Sequence, residues 1–300
     1  MPSILERIRA GEVLLSDGAM GTLLLGKGLK PGGCPEALNL THPEFLEEIA
    51  RDYFEAGADI VQTNTFGGSP LKLASYQLAD KTEEINSAAV KAARNAVGGR
   101  AFVVASCGTT GKLLKPYGDT EPEAIADSFK RQVQALARSG VDAVNFETMT
   151  DLAEAVLAVR AARSVASSLT VMATMTFQAT KRGFFTMMGN SIADVARGLA
   201  DAGADIVGSN CGNGSAEMLE IAREFKKATD LPISIRPNAG APTLAQGVPV
   251  YPETPEFMAE KVGEMAAIGV SIIGGCCGTT PAHIRAFRAV LDARAEASRR

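Results

Sequence analysis

The chain has 300 residues, 46% of them hydrophobic and 21% charged, and a formal net charge of −4. That is a globular composition, and its mild acidity gives no electrostatic basis for binding nucleic acid or an anionic membrane. No stretch approaches about 18 consecutive apolar residues, and Met1-Pro2-Ser3-Ile4-Leu5-Glu6-Arg7 lacks the charged-then-apolar layout of a signal peptide. A cytoplasmic location is therefore expected, where thiols stay reduced and an odd count of five cysteines suits metal binding or catalysis better than disulfides.

Taken in chain order, eight short apolar, β-branched runs read as strands: 13–15, 59–63, 102–106, 143–146, 170–175, 205–208, 233–235 and 270–273. Amphipathic helical stretches lie between them, among them 43–56, 121–139, 151–166, 192–202, 216–229, 255–268 and 281–294. The joints from helix to strand echo one another. Ala56-Gly57-Ala58-Asp59, Ser139-Gly140-Val141-Asp142, Ala202-Gly203-Ala204-Asp205 and Ile268-Gly269-Val270-Ser271 all read small, Gly, small, polar. Glycine there predicts a helix ended in the left-handed conformation. Eight helix–Gly–strand units imply a parallel sheet and favour an α/β fold with a single (β/α)8 TIM barrel over residues 1–300. Four long segments, 18–40, 108–120, 177–191 and 237–252, follow strands and are expected as loops on the rim where barrel active sites are built. The C-terminal run 293–300 reads as a fraying helix end.

Polar residues stand at the strand exits: Asp17, Asn64, Ser106, Glu147, Thr176, Cys211, Arg236 to Asn238, and the pair Cys276 and Cys277. Such groups at the ends of apolar strands need a partner or a ligand. The run Gly274-Gly275-Cys276-Cys277-Gly278-Thr279-Thr280-Pro281 and the run Gly208-Ser209-Asn210-Cys211-Gly212 put three thiols on one glycine-rich rim. Three thiolates around Zn²⁺ would leave its fourth position open, the layout of a catalytic site. Packing as small hydrophobes and a vicinal disulfide are the alternatives. Cys107 reads as packing and Cys34 as a loop residue without partners in view. Asp17 and Glu147 are carboxylates suited to an ammonium group, set against a turn role for Asp17 and a rim salt bridge for Glu147. Gly18 to Thr22 offer backbone N–H groups suited to a carboxylate. The only histidines, His42 and His283, read as surface or capping residues. Met20, Met187 and Met188 read as gap fillers near the rim, with lining a channel for an apolar sulfur chain as the alternative.

These residues resemble the homocysteine S-methyltransferase family. The motifs are Asp17-Gly18-Ala19-Met20-Gly21-Thr22, Thr63-Asn64-Thr65-Phe66, Glu147-Thr148, and the two cysteine runs extended through Ala282-His283-Ile284. Asn39-Leu40-Thr41-His42-Pro43 and Pro237-Asn238-Ala239-Gly240 make the chain most similar to the homocysteine-binding module of cobalamin-dependent methionine synthases. The resemblance implies a zinc site of Cys211, Cys276 and Cys277, with Asp17 and Glu147 holding the amino group of homocysteine. It also implies Gly18 and Asn64 in the substrate site and Asn238 close to the zinc. Gly108-Thr109-Thr110-Gly111 departs from the family's Gly-Pro-x-Gly in the third-strand loop.

The expected activity is methyl transfer to the homocysteine thiol, giving methionine. The expected partners are homocysteine and a corrinoid protein that supplies methylcobalamin, since nothing here resembles a corrinoid-binding run. S-methylmethionine, S-adenosylmethionine and betaine are the other donor candidates. Phe66, Phe184, Phe185 and Tyr251 are candidates for a cage around a cationic donor and equally fit the core. A non-catalytic zinc or thiol sensor is the rival from another class, and a zinc hydrolase is a third reading.

Overall fold

The computed structural model describes residues 2–245 and 248–299. Eight parallel strands form one sheet: Leu14–Leu15, Ile60–Gln62, Phe102–Cys107, Ala143–Met149, Thr170–Met175, Ile206–Asn210, Ile233–Arg236 and Ile272–Ile273. The first pairs with the eighth, Leu14 opposite Ile272. A parallel bridge from Ser16 to Ile60 ties it to the second, and the sheet closes into a (β/α)8 barrel as the repeating units predict.

The four joint glycines have φ of +103°, +84°, +101° and +86° at Gly57, Gly140, Gly203 and Gly269. Each ends its helix in the conformation that a β-carbon disfavours. The aspartates that follow do further work. Asp59, Asp142 and Asp205 accept the backbone N–H of Leu15, Val103 and Val171 at 2.9, 2.7 and 2.8 Å. Each thus satisfies an otherwise orphaned donor on the preceding barrel strand.

Strand alternation divides the core in two. Outward positions such as Val61, Val103, Val144 and Val207 pack under the helices with Phe129, Phe225 and Phe287. Inward positions Leu14, Ile60, Phe102, Val104, Ala143, Met172, Ile206 and Ile272 form a second cluster, closed by Ile4 from the helix Ile4–Arg9. Two residues further along the first five strands the inward face becomes polar: Ser16, Gln62, Ser106, Asn145 and Thr174, all buried. The apolar cluster is the floor on which the polar cavity rests.

At Gly208 the sixth strand lies so close to the seventh that a β-carbon would stand 1.8 Å from the carbonyl oxygen of Ser234. Gly208→Ala is expected to cost about 3 kcal/mol or more through backbone displacement, read by chemical denaturation.

The rim holds more regular structure than expected. Segment 18–40 contains the helices Gly21–Gly26 and Leu38–Thr41, the latter begun by a 3₁₀ turn at Pro35–Ala37. Segment 177–191 contains a hairpin, Gln178–Thr180 against Gly183–Phe185, turned at Lys181 and Arg182, with Gly183 just after the turn at φ of +112°. In segment 237–252, Thr243–Ala245 pairs with Val248–Val250, and residues 246 and 247 lie outside the described residues. The helix Thr82–Val97 covers the stretch before the third strand, and the last helix continues to Arg299; Arg300 is outside the described residues. Among the described residues no helix is long and apolar enough to cross a membrane.

Candidate active site

Cys211 follows the sixth strand, and Cys276 and Cys277 follow the eighth. Their sulfur atoms all lie within 4.8 Å of one another, with Cys211 and Cys277 Sγ 3.9 Å apart. The backbone holds them there. The N–H of Cys276 donates to Pro237 O at 2.7 Å and Ala239 N–H donates to Cys277 O at 2.9 Å, so the chain leaving the seventh strand clamps the pair. Cys211 has φ of +62°, a conformation that costs free energy in a non-glycine residue and persists only where the surroundings impose it. The flanking glycines are required by crowding. A β-carbon at Gly275 would meet Thr279 Oγ1 at 2.2 Å, and one at Gly278 would meet the Tyr251 ring at 2.1 Å.

The Cys211 thiol is pushed up to about 11, and those of Cys276 and Cys277 to about 12. Hydrogen bonding among the three sulfurs is the largest influence on each, and burial adds to the upward push. Without a cation the trio stays neutral at physiological pH. Three converging soft donors fit Zn²⁺, which stabilises thiolates. Cys107 is fully buried in the core, as its packing reading predicts. Cys34 differs from expectation: its thiol donates to Glu36 at 3.4 Å.

Asp17 and Glu147 come together across the barrel, but neither is free. Arg236, from the seventh strand, is 5% exposed and lies between them. Its Nη2 donates to Asp17 Oδ1 at 3.0 Å, its Nη1 to Glu147 Oε2 at 2.9 Å, and its Nε to Gly275 O at 3.1 Å. Asp17 also accepts from Gln62 N at 2.6 Å and Ser16 Oγ at 3.1 Å. Glu147 also accepts from Gln62 Nε2 at 3.1 Å, Asn145 Nδ2 at 3.2 Å, and Ser106 Oγ. Burial pushes the Asp17 carboxyl up to about 6, against the pull of Arg236 and the Gln62 N–H.

Asn210 is a cavity-lining residue that its motif does not single out. Fully buried, it accepts from Thr148 N at 2.8 Å and Thr174 Oγ1 at 2.7 Å. It donates to Thr148 Oγ1 at 2.7 Å and to Cys276 Sγ at 3.9 Å. Thr148, next to Glu147, has φ of +58° where the fourth strand shifts register. One amide therefore holds both the turn that carries Glu147 and a cysteine of the trio.

A cavity of about 290 Å³ is lined by Asp17, Gly18, Asn64, Glu147, Cys211, Cys276 and Cys277, together with Arg236 and Phe66. Of the residues expected to hold substrate or metal, Asn238 alone does not line it, and of the cage candidates Phe66 lines it while Phe184, Phe185 and Tyr251 do not. Asn238 lies two residues past Arg236 with its N–H on Asn213 O at 3.0 Å, and its Oδ1 is buried without a hydrogen-bond partner. Gly18 lets the chain pass Thr279 and Tyr53, where a β-carbon would meet Oγ1 at 2.6 Å and the phenol oxygen at 2.8 Å. Asn64 serves the wall: its amide donates to Pro35 O at 2.8 Å and Asn39 Oδ1 at 2.9 Å. His283, expected at the surface or as a cap, is buried and caps its helix, with Nδ1 accepting from Thr280 N at 3.2 Å. In the third-strand loop, Thr110 anchors the departure from the family pattern by donating N–H and Oγ1 to Glu154 at 2.7 and 2.6 Å.

The chain is 36% identical over 298 residues to the methionine synthase of Mycobacterium tuberculosis, covering 93% of this chain and 24% of that protein. It is likewise 36% identical to the methionine synthase of Mycobacterium leprae. It spans about a quarter of the length of these relatives. Among solved structures, the metallated homocysteine methyltransferase MmuM of Escherichia coli superposes with a TM-score of 0.77 at 24% identity, over 93% of this chain and 96% of that one. That likeness shows the shared barrel. The family model for homocysteine S-methyltransferase matches residues 14–291, and the chain belongs to the homocysteine S-methyltransferase family.

Proposed function

We propose that this protein moves a methyl group to the thiol of homocysteine, giving methionine, with Zn²⁺ held by Cys211, Cys276 and Cys277. The observation that carries the reading is that the three sulfurs, Asp17 and Glu147 open onto one cavity. Zinc bound there would supply the charge that turns an incoming alkyl thiol into its nucleophilic anion at neutral pH. The rest is done by the chain. Asp17 and Glu147 receive the ammonium group of the amino acid. Gly18 brings backbone, with no side chain in the way, to the side of the cavity where the α-carboxylate would lie. Phe66 and Met20, both lining the cavity, limit water around the sulfur. Histidine has no part as a base.

The donor in this proposal is a methylcorrinoid carried by a separate protein or module. Supporting it, large apolar side chains stand exposed on the loops after strands three, five and seven: Leu113 at 56%, Tyr117 at 73%, Met187 at 66% and Leu244 at 78%. Apolar groups gathered at one rim are what a docking partner covers. The long multi-module relatives are consistent with such a partner. Zinc-loaded protein offered homocysteine with a methylcorrinoid protein, S-methylmethionine, S-adenosylmethionine or betaine in turn is expected to form methionine from the first. Product from one of the small donors alone would reassign the donor, and none from any would remove the reading.

Asp17→Asn and Glu147→Gln are each expected to weaken homocysteine binding about ten- to a hundred-fold, the worth of a hydrogen bond to a charged group. Unchanged affinity would favour the non-catalytic thiol sensor. Because the Asp17 carboxyl is pushed up to about 6 and its anion is the binding form, affinity is expected to fall as pH drops through that value. Asp17→Asn should remove that limb of a calorimetric pH profile.

A further inference from the structure

We propose that Arg236 is a positioning residue for the acceptor thiol, a buried guanidinium that holds Asp17 and Glu147 as a fixed pair of anions set to take one ammonium. The inference rests on the homocysteine reading above and names what makes that recognition work.

Asp17 and Glu147 face one cavity and repel each other, and the usual outcome for such a pair is that they share a proton or turn apart. Arg236 opposes both. It reaches each carboxylate with a different nitrogen, at 3.0 and 2.9 Å, and its Nε on Gly275 O fixes the plane of the fork. A lysine would offer one point charge where the fork serves two directions. The charged and titratable groups around it support the same reading. Tyr53 and Cys107 sit within electrostatic reach of Asp17 and Glu147 respectively, and burial keeps both neutral. Cys276 lies within reach of Arg236. The cluster of Asp17, Glu147 and Arg236 therefore carries a single net negative charge, and one ammonium completes it. Glu147 already takes four donors, from Gln62, Ser106, Asn145 and Arg236. Its position is thus set before any ligand arrives, and pre-set groups bind without a reorganisation cost.

The test is calorimetric binding of two thiols to zinc-loaded protein: homocysteine, and 4-mercaptobutanoate, which lacks the amino group. Arg236→Met removes the charge at similar length, and Arg236→Lys keeps it. The wild type is expected to prefer homocysteine. Arg236→Met should lose about ten-fold or more in homocysteine affinity, as expected when a charged hydrogen-bonding partner is removed, while its 4-mercaptobutanoate affinity and zinc content stay at wild-type values. Arg236→Lys should retain most of the preference. Equal weakening of both thiols, or an unchanged or increased preference in Arg236→Met, would overturn the proposal. If Arg236→Met does not fold, Arg236→Lys decides: a preference intermediate between wild type and none supports the fork, and a wild-type preference with both thiols weakened equally refutes it. A wild type that binds zinc but not homocysteine would instead refute the functional reading and leave Arg236 without this role.

Discussion

Cys277→Ser is expected to leave the folded protein with about a tenth or less of its zinc and to abolish methyl transfer. Serine is close in size to cysteine, so the barrel has little reason to rearrange. What changes is the donor. A hydroxyl is far less acidic than a thiol and a poorer partner for a borderline-soft ion. Changes to residues that merely support a ligand cost about 10–100-fold in affinity, and loss of a ligand itself should exceed that range. The geometry makes each sulfur necessary, because all three lie within 4.8 Å of one another and no fourth cysteine is in range: Cys107 is in the core and Cys34 is held by Glu36. Metal content by mass spectrometry of the native protein, with circular dichroism to check folding, reads the effect. Full zinc content in Cys277→Ser, or in the matching Cys211 and Cys276 variants, would remove the trio as a metal site.

Asn210→Ala should produce the second large effect, on stability and metal affinity together. The side chain is completely buried and makes four contacts, two as acceptor and two as donor. Alanine leaves the N–H of Thr148 and the hydroxyl of Thr174 without their acceptor. Each unsatisfied group costs about 1–3 kcal/mol, so a total of about 2–6 kcal/mol is expected by chemical denaturation. Thr148 also loses the bond that keeps it at φ of +58°, so the turn carrying Glu147 is free to relax. Cys276 loses its amide contact, which should lower zinc affinity by about 10–100-fold. A loss of stability with unchanged zinc affinity would mean that Asn210 supports the fourth-strand turn only.

The barrel was legible because its signals are local. A glycine that ends a helix, a polar residue after it and a short β-branched run repeat at intervals no longer than one unit, and each glycine is in the left-handed region as the pattern requires. The cysteine trio was legible for the same reason: Cys276 and Cys277 are adjacent, and Cys211 sits in a similar strand exit. The hairpin at Gln178–Thr180 and Gly183–Phe185 was not, because its strands are three residues long and carry little periodicity. Cys34 looked unpartnered because Glu36, two residues away, contacts it only through a turn that the sequence leaves open.

By itself the sequence determined the closed parallel barrel, the rim at its strand exits, and which cysteines and carboxylates stand on that rim. Tertiary structure alone decided that Arg236 stands between Asp17 and Glu147, which are 219 and 89 residues away from it, and that Asn210 joins Thr148 to Cys276. Alternation along a strand tells which side chains point inward, but the height at which each one sits depends on how neighbouring strands are staggered around the barrel. That stagger comes from the packing of the whole ring, so the partners of a buried charge appear only once the ring has closed.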